Sequence, residues 1–225
     1  MVCGPRLGDH RAPCHCTKMP PMLRLFHFPA SCSVASHFVL EEAGADYELV
    51  RVDLANGEQA KPEFLAVNPK GRVPALQTEH GILTETPAII VYIAQVHPAA
   101  GLAPFDDAFQ FARMQSFNAY LSSTVHVAHA HKMRGTRWAD DPAAIAEMTR
   151  KVPQTMAACF ELIERDYLTG PWVLGERYSV ADPYLYTMST WLAADGVDVA
   201  RFPRVQDFMR RMAARPAIRR VLDAR

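Results

Sequence analysis

Asn68-Pro-Lys-Gly-Arg-Val-Pro-Ala-Leu76 decides how the first half of the chain is read. Its Pro and Gly residues make a loop, and Val73-Pro-Ala-Leu76 leads that loop into a strand. Downstream, Glu79-His80-Gly81 turns the chain tightly into Ile82-Leu83-Thr84, which predicts a hairpin. Glu85-Thr86-Pro87 then opens a helix with Pro in its first turn, running to about His97 and stopped by Pro98. Upstream, residues 56–64 are polar with a short helix, and residues 47–54 alternate and are rich in Val and Leu, which predicts a strand. Before that, Ser31 is placed to cap a helix over 32–43, with Ala35, Phe38, Val39 and Glu42 at helical spacing and Gly44 as its stop. Met22-Leu-Arg-Leu-Phe-His-Phe28 is apolar-rich and ends at Pro29, as a first strand would. The order is β-α-β followed by β-β-α.

The second half has another texture. After Asp106 everything reads helical, with Phe109, Ala112, Phe117, Tyr120, Leu121 and Thr124 tracing one expected face. Asp141-Pro142 starts a further helix carrying Ile145, Met148, Val152, Met156, Cys159, Phe160 and Ile163. Ser179-Val-Ala-Asp182 is a capping box in which Asp182 stands in for the usual Glu or Gln. Phe202-Pro203 and Arg215-Pro216 separate two last short helices. The expected division is a leader at 1–21, an α/β domain at 22–98, a linker at 99–105 and an all-helical domain at 106–225.

The chain has 225 residues, 49% apolar and 21% charged, values of a globular protein and not of a disordered or fibrous one. Lys+Arg 24 balances Asp+Glu 24, which argues against a dedicated nucleic-acid binder. No apolar run approaches the ~20 residues that span a bilayer. Pro5, Pro13, Pro20 and Pro21 interrupt an N-terminus with no apolar central stretch, unlike a secretory signal. The expectation is a cytoplasmic protein without nucleic-acid or membrane partners. The five cysteines (Cys3, Cys14, Cys16, Cys32 and Cys159) are odd in number and crowded toward the start, so they do not form a disulfide framework. Cys3, His10, Cys14 and Cys16 match no common zinc spacing, and His126, His129 and His131 have no carboxylate to complete a set, so no metal is expected. His129 and His131 are assigned to the surface or to partner contacts, and Cys159 to its helix's apolar stripe.

Cys32 falls where the first strand hands over to the first helix. A helix N-terminus carries partial positive charge and free N–H donors, so Cys32, or a thiol bound beside it, is expected to have a lowered pKa. Ser31 and Ser33 are placed to donate to either sulfur.

Four segments in this order, Phe26-His-Phe-Pro-Ala-Ser-Cys-Ser-Val-Ala-Ser-His37, Asn68 to Leu76, Glu85-Thr86 and Ser179 to Asp182, make the chain resemble the soluble glutathione transferases over residues 22–222, most closely the bacterial beta class. The resemblance implies an α/β thioredoxin-like N-terminal domain followed by an all-α C-terminal domain. It implies Cys32, Ser33 and His126 as catalytic residues, and Arg72, Val73, Pro74, Glu85 and Thr86 as the glutathione site. It further implies a cis peptide before Pro74 that presents the Val73 backbone to the tripeptide. Glutathione is then a co-substrate attacking a small electrophile, no metal takes part, and the protein is a homodimer. Two other readings stay open: a monothiol disulfide reductase using Cys32, and a non-enzymatic binding module. Three positions depart from the beta-class pattern. His27 stands for Tyr, Asn56-Gly57 stand where a lysine is expected, and Asn118 lies one residue before the usual asparagine, at Ala119. Met133-Arg134-Gly-Thr-Arg137-Trp138 is the candidate source of substitute cationic and aromatic groups.

Overall fold

The computed structural model describes residues 23–224. Cys3, His10, Cys14, Cys16 and the leader lie outside them. The sheet contains β1 (Leu23–His27), β2 (Tyr47–Arg51), β3 (Ala75–Thr78) and β4 (Gly81–Thr84) in the order β2-β1-β3-β4. β2 runs parallel to β1, whereas β3 and β4 are antiparallel to their neighbours. Pairing sets Leu25 opposite both Leu49 and Leu76, and Leu76 opposite Leu83. The parallel pair needs a crossover, supplied by α1 (Ser33–Ala43), which ends at Gly44 with φ 62°, a left-handed conformation that glycine adopts without strain. α3 (Thr86–Val96) follows the hairpin and packs beside α1.

Leu25, Leu76, Val39, Leu40, Ile89 and Ile93 form the core under these two helices. The other sheet face is covered more thinly, by Phe26, Val52, Val73 and Ala75 against Phe64 of the short helix α2 (Pro62–Leu65). The expected second strand stops at Arg51, three residues early. Asp53 then uses its carboxylate to accept from Ala55 N and Asn56 N, a local turn that competes with strand pairing.

The helical part comprises α4 (Ala108–Tyr120), α5 (His126–Ala130), α6 (Pro142–Leu162), α7 (Ala181–Ser189), α8 (Pro203–Ala214) and α9 (Pro216–Asp223). Asp107 and Asp141 cap α4 and α6 through their side chains. The expected face of α4 is corrected. Met114, Phe117, Asn118, Leu121 and Val125 are buried, while Phe109, Ala112 and Thr124 are exposed. Phe109 and Ala112 face outward in the regular part of α4, and a turn of π-helix over Leu121–Val125, which takes up one more residue than an α turn, then rotates the residues that follow. That extra residue also accounts for Asn118. Eight steps separate it from His126, yet the wider turn returns the two to nearly the same helix face.

The two halves are bolted together along α1. It packs on α7 and α9, with Phe38 against Tyr186 at 5.7 Å between ring centroids. Arg215 clamps Glu42 at 2.6 and 2.7 Å and lies over the Tyr178 ring at 3.7 Å; Arg220 binds Glu41 at 2.6 Å. Glu42 is nearly buried, which lifts this pair above the small worth of a surface ion pair. Between α3 and α4 the chain is packed, with Leu102 and Ala103 buried and Leu102 O accepting from Val180 N at 2.8 Å. Among the described residues no helix is long and apolar enough to cross a membrane.

Candidate functional site

A cleft of about 420 Å³ opens between the sheet half and the α4–α7 bundle. From the first half it is lined by Ser31, Cys32, Arg72, Val73, Pro74, Glu85 and Thr86, and from the second by His126, His129, Met133, Arg134, Arg137, Tyr184 and Trp191. Of the residues expected at the site, only Ser33 does not line it. Its hydroxyl is fully buried, accepting from Phe28 N at 3.0 Å and lying 2.7 Å from Ser31 Oγ. Ser31 takes the place on the cleft wall, and its Oγ also accepts from Ser33 N at 3.2 Å; the helix starts one residue later than expected, with Cys32 and not Ser31 at the capping position.

The Val73–Pro74 peptide is cis. Val73 O accepts the Cys32 thiol at 3.6 Å. Asn68 holds the loop in shape, its Nδ2 donating to Arg72 O at 2.6 Å and its Oδ1 accepting from Lys70 N at 3.1 Å. Gly71 completes this turn at φ 60°, where a side chain would meet Gln59 O at 3.0 Å.

Cys32 reverses one expectation. Burial pushes its thiol up to about 11, against a hydrogen bond from Thr86 that lowers it; Glu85 raises it further and Arg72 lowers it. Loss of water around the sulfur outweighs the favourable helix terminus. At pH 7 the side chain is a neutral S–H donor. Alkylation of Cys32 by iodoacetamide should therefore accelerate about tenfold per pH unit from 7 to beyond 10. A rate already level at pH 8 would show a low-pKa thiol instead.

Glu85 is the one non-glycine described residue with a left-handed φ, 71°, immediately before α3. Such backbone is uncommon and concentrates at functional sites. Its carboxylate is already held by Lys70 Nζ at 2.6 Å, and the same ammonium bonds Thr84 Oγ1 at 3.0 Å. Thr86 begins α3 beside it and is buried.

His126 begins α5 directly after the π turn. Burial, then His129 and the charges of Arg137, Arg72 and Arg134, pull its pKa down to about 4, so the ring is neutral. His129 departs from the surface assignment. Its Nδ1 lies 2.7 Å from the buried Asp195 carboxylate and its ring stacks on Trp191, centroids 4.1 Å apart. His131 packs edge-on to Trp138 at 4.5 Å. Among the described residues no group of three or more His, Cys, Asp or Glu is arranged around a metal position. Cys159 is buried on α6, as expected.

Leu54, Ala55 and Gln59 form the wall where the resemblance anticipates a lysine, and none carries charge. The segment around residues 133–137 does bring cations to the cleft, Arg134 and Arg137. Sequence reasoning missed Tyr184 and Trp191. Tyr184 lies inside α7 and Trp191 two residues beyond it, and the helix is buried along its length, so no polar–apolar alternation marks the side chains that face the cleft.

A thioredoxin-like half with a cis-proline loop, joined to a helical half across a cleft that holds a cysteine at a helix start, defines a thiol-handling class of protein. Family models agree with that class. "Glutathione S-transferase, N-terminal domain" matches residues 21–95, and "Glutathione S-transferase, C-terminal domain" matches residues 129–225. The glutathione S-transferase GstA of Escherichia coli O157:H7 is 33% identical over 90% of this chain and 98% of its own. A glutathione transferase homolog from Sulfitobacter, solved with bound glutathione, is 51% identical with a TM-score of 0.88, covering 90% of this chain and 98% of its own. The beta-class enzyme of Sphingomonas chungbukensis is 34% identical with a TM-score of 0.79, covering 89% and 98%. The chain belongs to the glutathione S-transferase family.

Proposed function

We propose that this glutathione transferase binds glutathione along residues 72–86 and attacks a small electrophile held by the helical half. The observation that carries the reading is convergence: Cys32, Val73, Pro74, Glu85, Thr86 and His126, distant in sequence, line one cleft. In this reading Val73 pairs its backbone with the cysteinyl residue, as in strand addition. The hydroxyl and backbone N–H of Thr86, at the start of α3, receive the γ-glutamyl carboxylate, since Pro87 has no N–H and the Ala88 N–H already donates to Glu85 O. Glu85 takes the ammonium, either with its second oxygen or by displacing Lys70. The glutathione sulfur then lies against the neutral Cys32 thiol, the α1 N-terminus and His126. The thiol releases its proton; the sulfur anion forms a bond to carbon, and the leaving group departs with its electron pair. The protein contributes position and a field that favours the anion.

A neutral Cys32 supports conjugation over disulfide reduction, because the attacking species in thiol–disulfide exchange is the thiolate. The exposed Val96, Phe105 and Phe109, near the end of α3 and the start of α4, support a two-fold homodimer that covers them. Two free cysteines among the described residues are consistent with a reducing cytoplasm, where conjugating electrophiles is a detoxifying role.

The test is a conjugation assay with glutathione and 1-chloro-2,4-dinitrobenzene, beside mass spectrometry after incubation with oxidised glutathione at pH 7. Turnover without a Cys32 adduct is expected. A mixed disulfide at Cys32 with no conjugation would establish the reductase reading instead. Retention on immobilised glutathione with neither reaction would leave a binding module.

A further inference from the structure

Among the described residues the positive charge of the cleft is not balanced. Nine arginines elsewhere, such as Arg24 with Glu48 and Arg215 with Glu42, are ion-paired. Arg72, Arg134 and Arg137 all line the cleft, and none of the three has an ion-pair partner among the described residues. Among the described residues Glu85 is the one carboxylate on the cleft wall, and Lys70 already neutralises it. The three guanidinium groups are close enough to His126 to disfavour its protonation.

Glutathione accounts for only part of this. As a thiolate it carries two carboxylates, one ammonium and one sulfur anion, a net charge of about −2. Three unbalanced arginines exceed that by about one positive charge. The surplus is also asymmetric. Arg72 sits next to Val73 in the loop read as the glutathione side, whereas Arg134 and Arg137 come from the short segment after α5, with Arg137 close enough to Arg72 and Cys32 to interact electrostatically with both. Met133, which also lines the cleft, exposes four-fifths of its surface beside them. A cationic pair next to a soft apolar side chain suits an apolar body carrying a carboxylate, which guanidinium binds through two parallel hydrogen bonds.

We infer that the second substrate is an electrophile with an apolar body and a carboxylate, and that Arg134 and Arg137 hold that carboxylate while the glutathione sulfur attacks. The inference rests on the transferase reading. In the step the sulfur–carbon bond forms, the carbon–halogen bond breaks, halide leaves with the electron pair, and the thiol proton passes to solvent.

The test compares 4-chloro-3-nitrobenzoate with its methyl ester on the full chain, each kcat/KM divided by the uncatalysed rate with glutathione. The acid is expected to be favoured at least tenfold. R134Q/R137Q should bring the acid-to-ester ratio close to one, and R134K/R137K should retain part of the preference. Circular dichroism and a thermal melt establish that each variant is folded. A wild-type ratio near one, with both compounds turned over, overturns the inference and leaves the transferase reading standing. So does a rise in KM for glutathione in R134Q/R137Q with the ratio preserved, because the arginines then hold the tripeptide's own carboxylate. Failure of acid, ester and 1-chloro-2,4-dinitrobenzene alike removes the transferase reading and this inference with it.

Discussion

Asp182→Ala is expected to destabilise the protein by about 4 kcal/mol, read as the change in unfolding free energy from urea titration. Asp182 is fully buried. One carboxylate oxygen accepts from Val173 N at 2.9 Å; the other accepts from Ser179 N at 2.8 Å and faces Ser179 Oγ at 3.4 Å. Alanine leaves two backbone N–H groups buried without a partner, each costing about 1–3 kcal/mol. The Ser179 N–H is the contact by which Asp182 closes the capping box that starts α7, so that loss is already within this sum. Asp182→Asn keeps one acceptor and sets an amide against the second donor, so it should fall between alanine and wild type. Because α7 carries Tyr184 into the cleft, glutathione turnover should fall with stability in this series. An alanine variant within about 1 kcal/mol of wild type would mean that water or a shifted backbone satisfies those donors.

Asp182 also illustrates what a sequence can disclose. Its box is local. Ser and Asp at a spacing of three before an apolar run are tied to one backbone geometry, and that geometry is present. The same holds for Gly44, for Pro87 in the first turn of α3 and for the hairpin turn before Gly81, each of which acts within a few residues. The resemblance placed Cys32, Val73, Pro74, Glu85, Thr86 and His126 in one cleft because the family keeps their order along the chain.

What stayed hidden depends on packing at a distance. The π turn at Leu121–Val125 has no residue signature, yet it rotates the face of the helix that follows and decides which side chains are buried. Asp195 pairs with His129 across 66 positions, a partnership no local pattern announces. The thiol of Cys32 was misjudged for the same reason. Its helix position is legible, but the desolvation that decides its proton affinity comes from residues brought in by the fold. Lys70 reaching back to Glu85 likewise exists only once the loop has closed on the hairpin.

Thr86→Val should raise the KM for glutathione about 10- to 100-fold. The hydroxyl is buried at the first position of α3, lines the cleft and is placed to favour the anion of the Cys32 sulfur. In the proposed complex it donates to the γ-glutamyl carboxylate, and a hydrogen bond to a charged group is worth about 1.5–3 kcal/mol. That range corresponds to the stated factor. Valine has nearly the same shape and leaves the backbone N–H at the helix start in place, so the loss isolates the hydroxyl. The contact is equally present before and during attack, so kcat at saturating glutathione should change by less than about threefold. Thr86→Ser should restore KM to within about threefold, since it returns the donor. The variant carries a second readout. Without its donor the Cys32 sulfur is a still poorer anion, so iodoacetamide alkylation at pH 9 should slow in Thr86→Val and recover in Thr86→Ser. If alkylation responds while KM does not move, the hydroxyl serves the cysteine alone, and the carboxylate must be held elsewhere along the cleft.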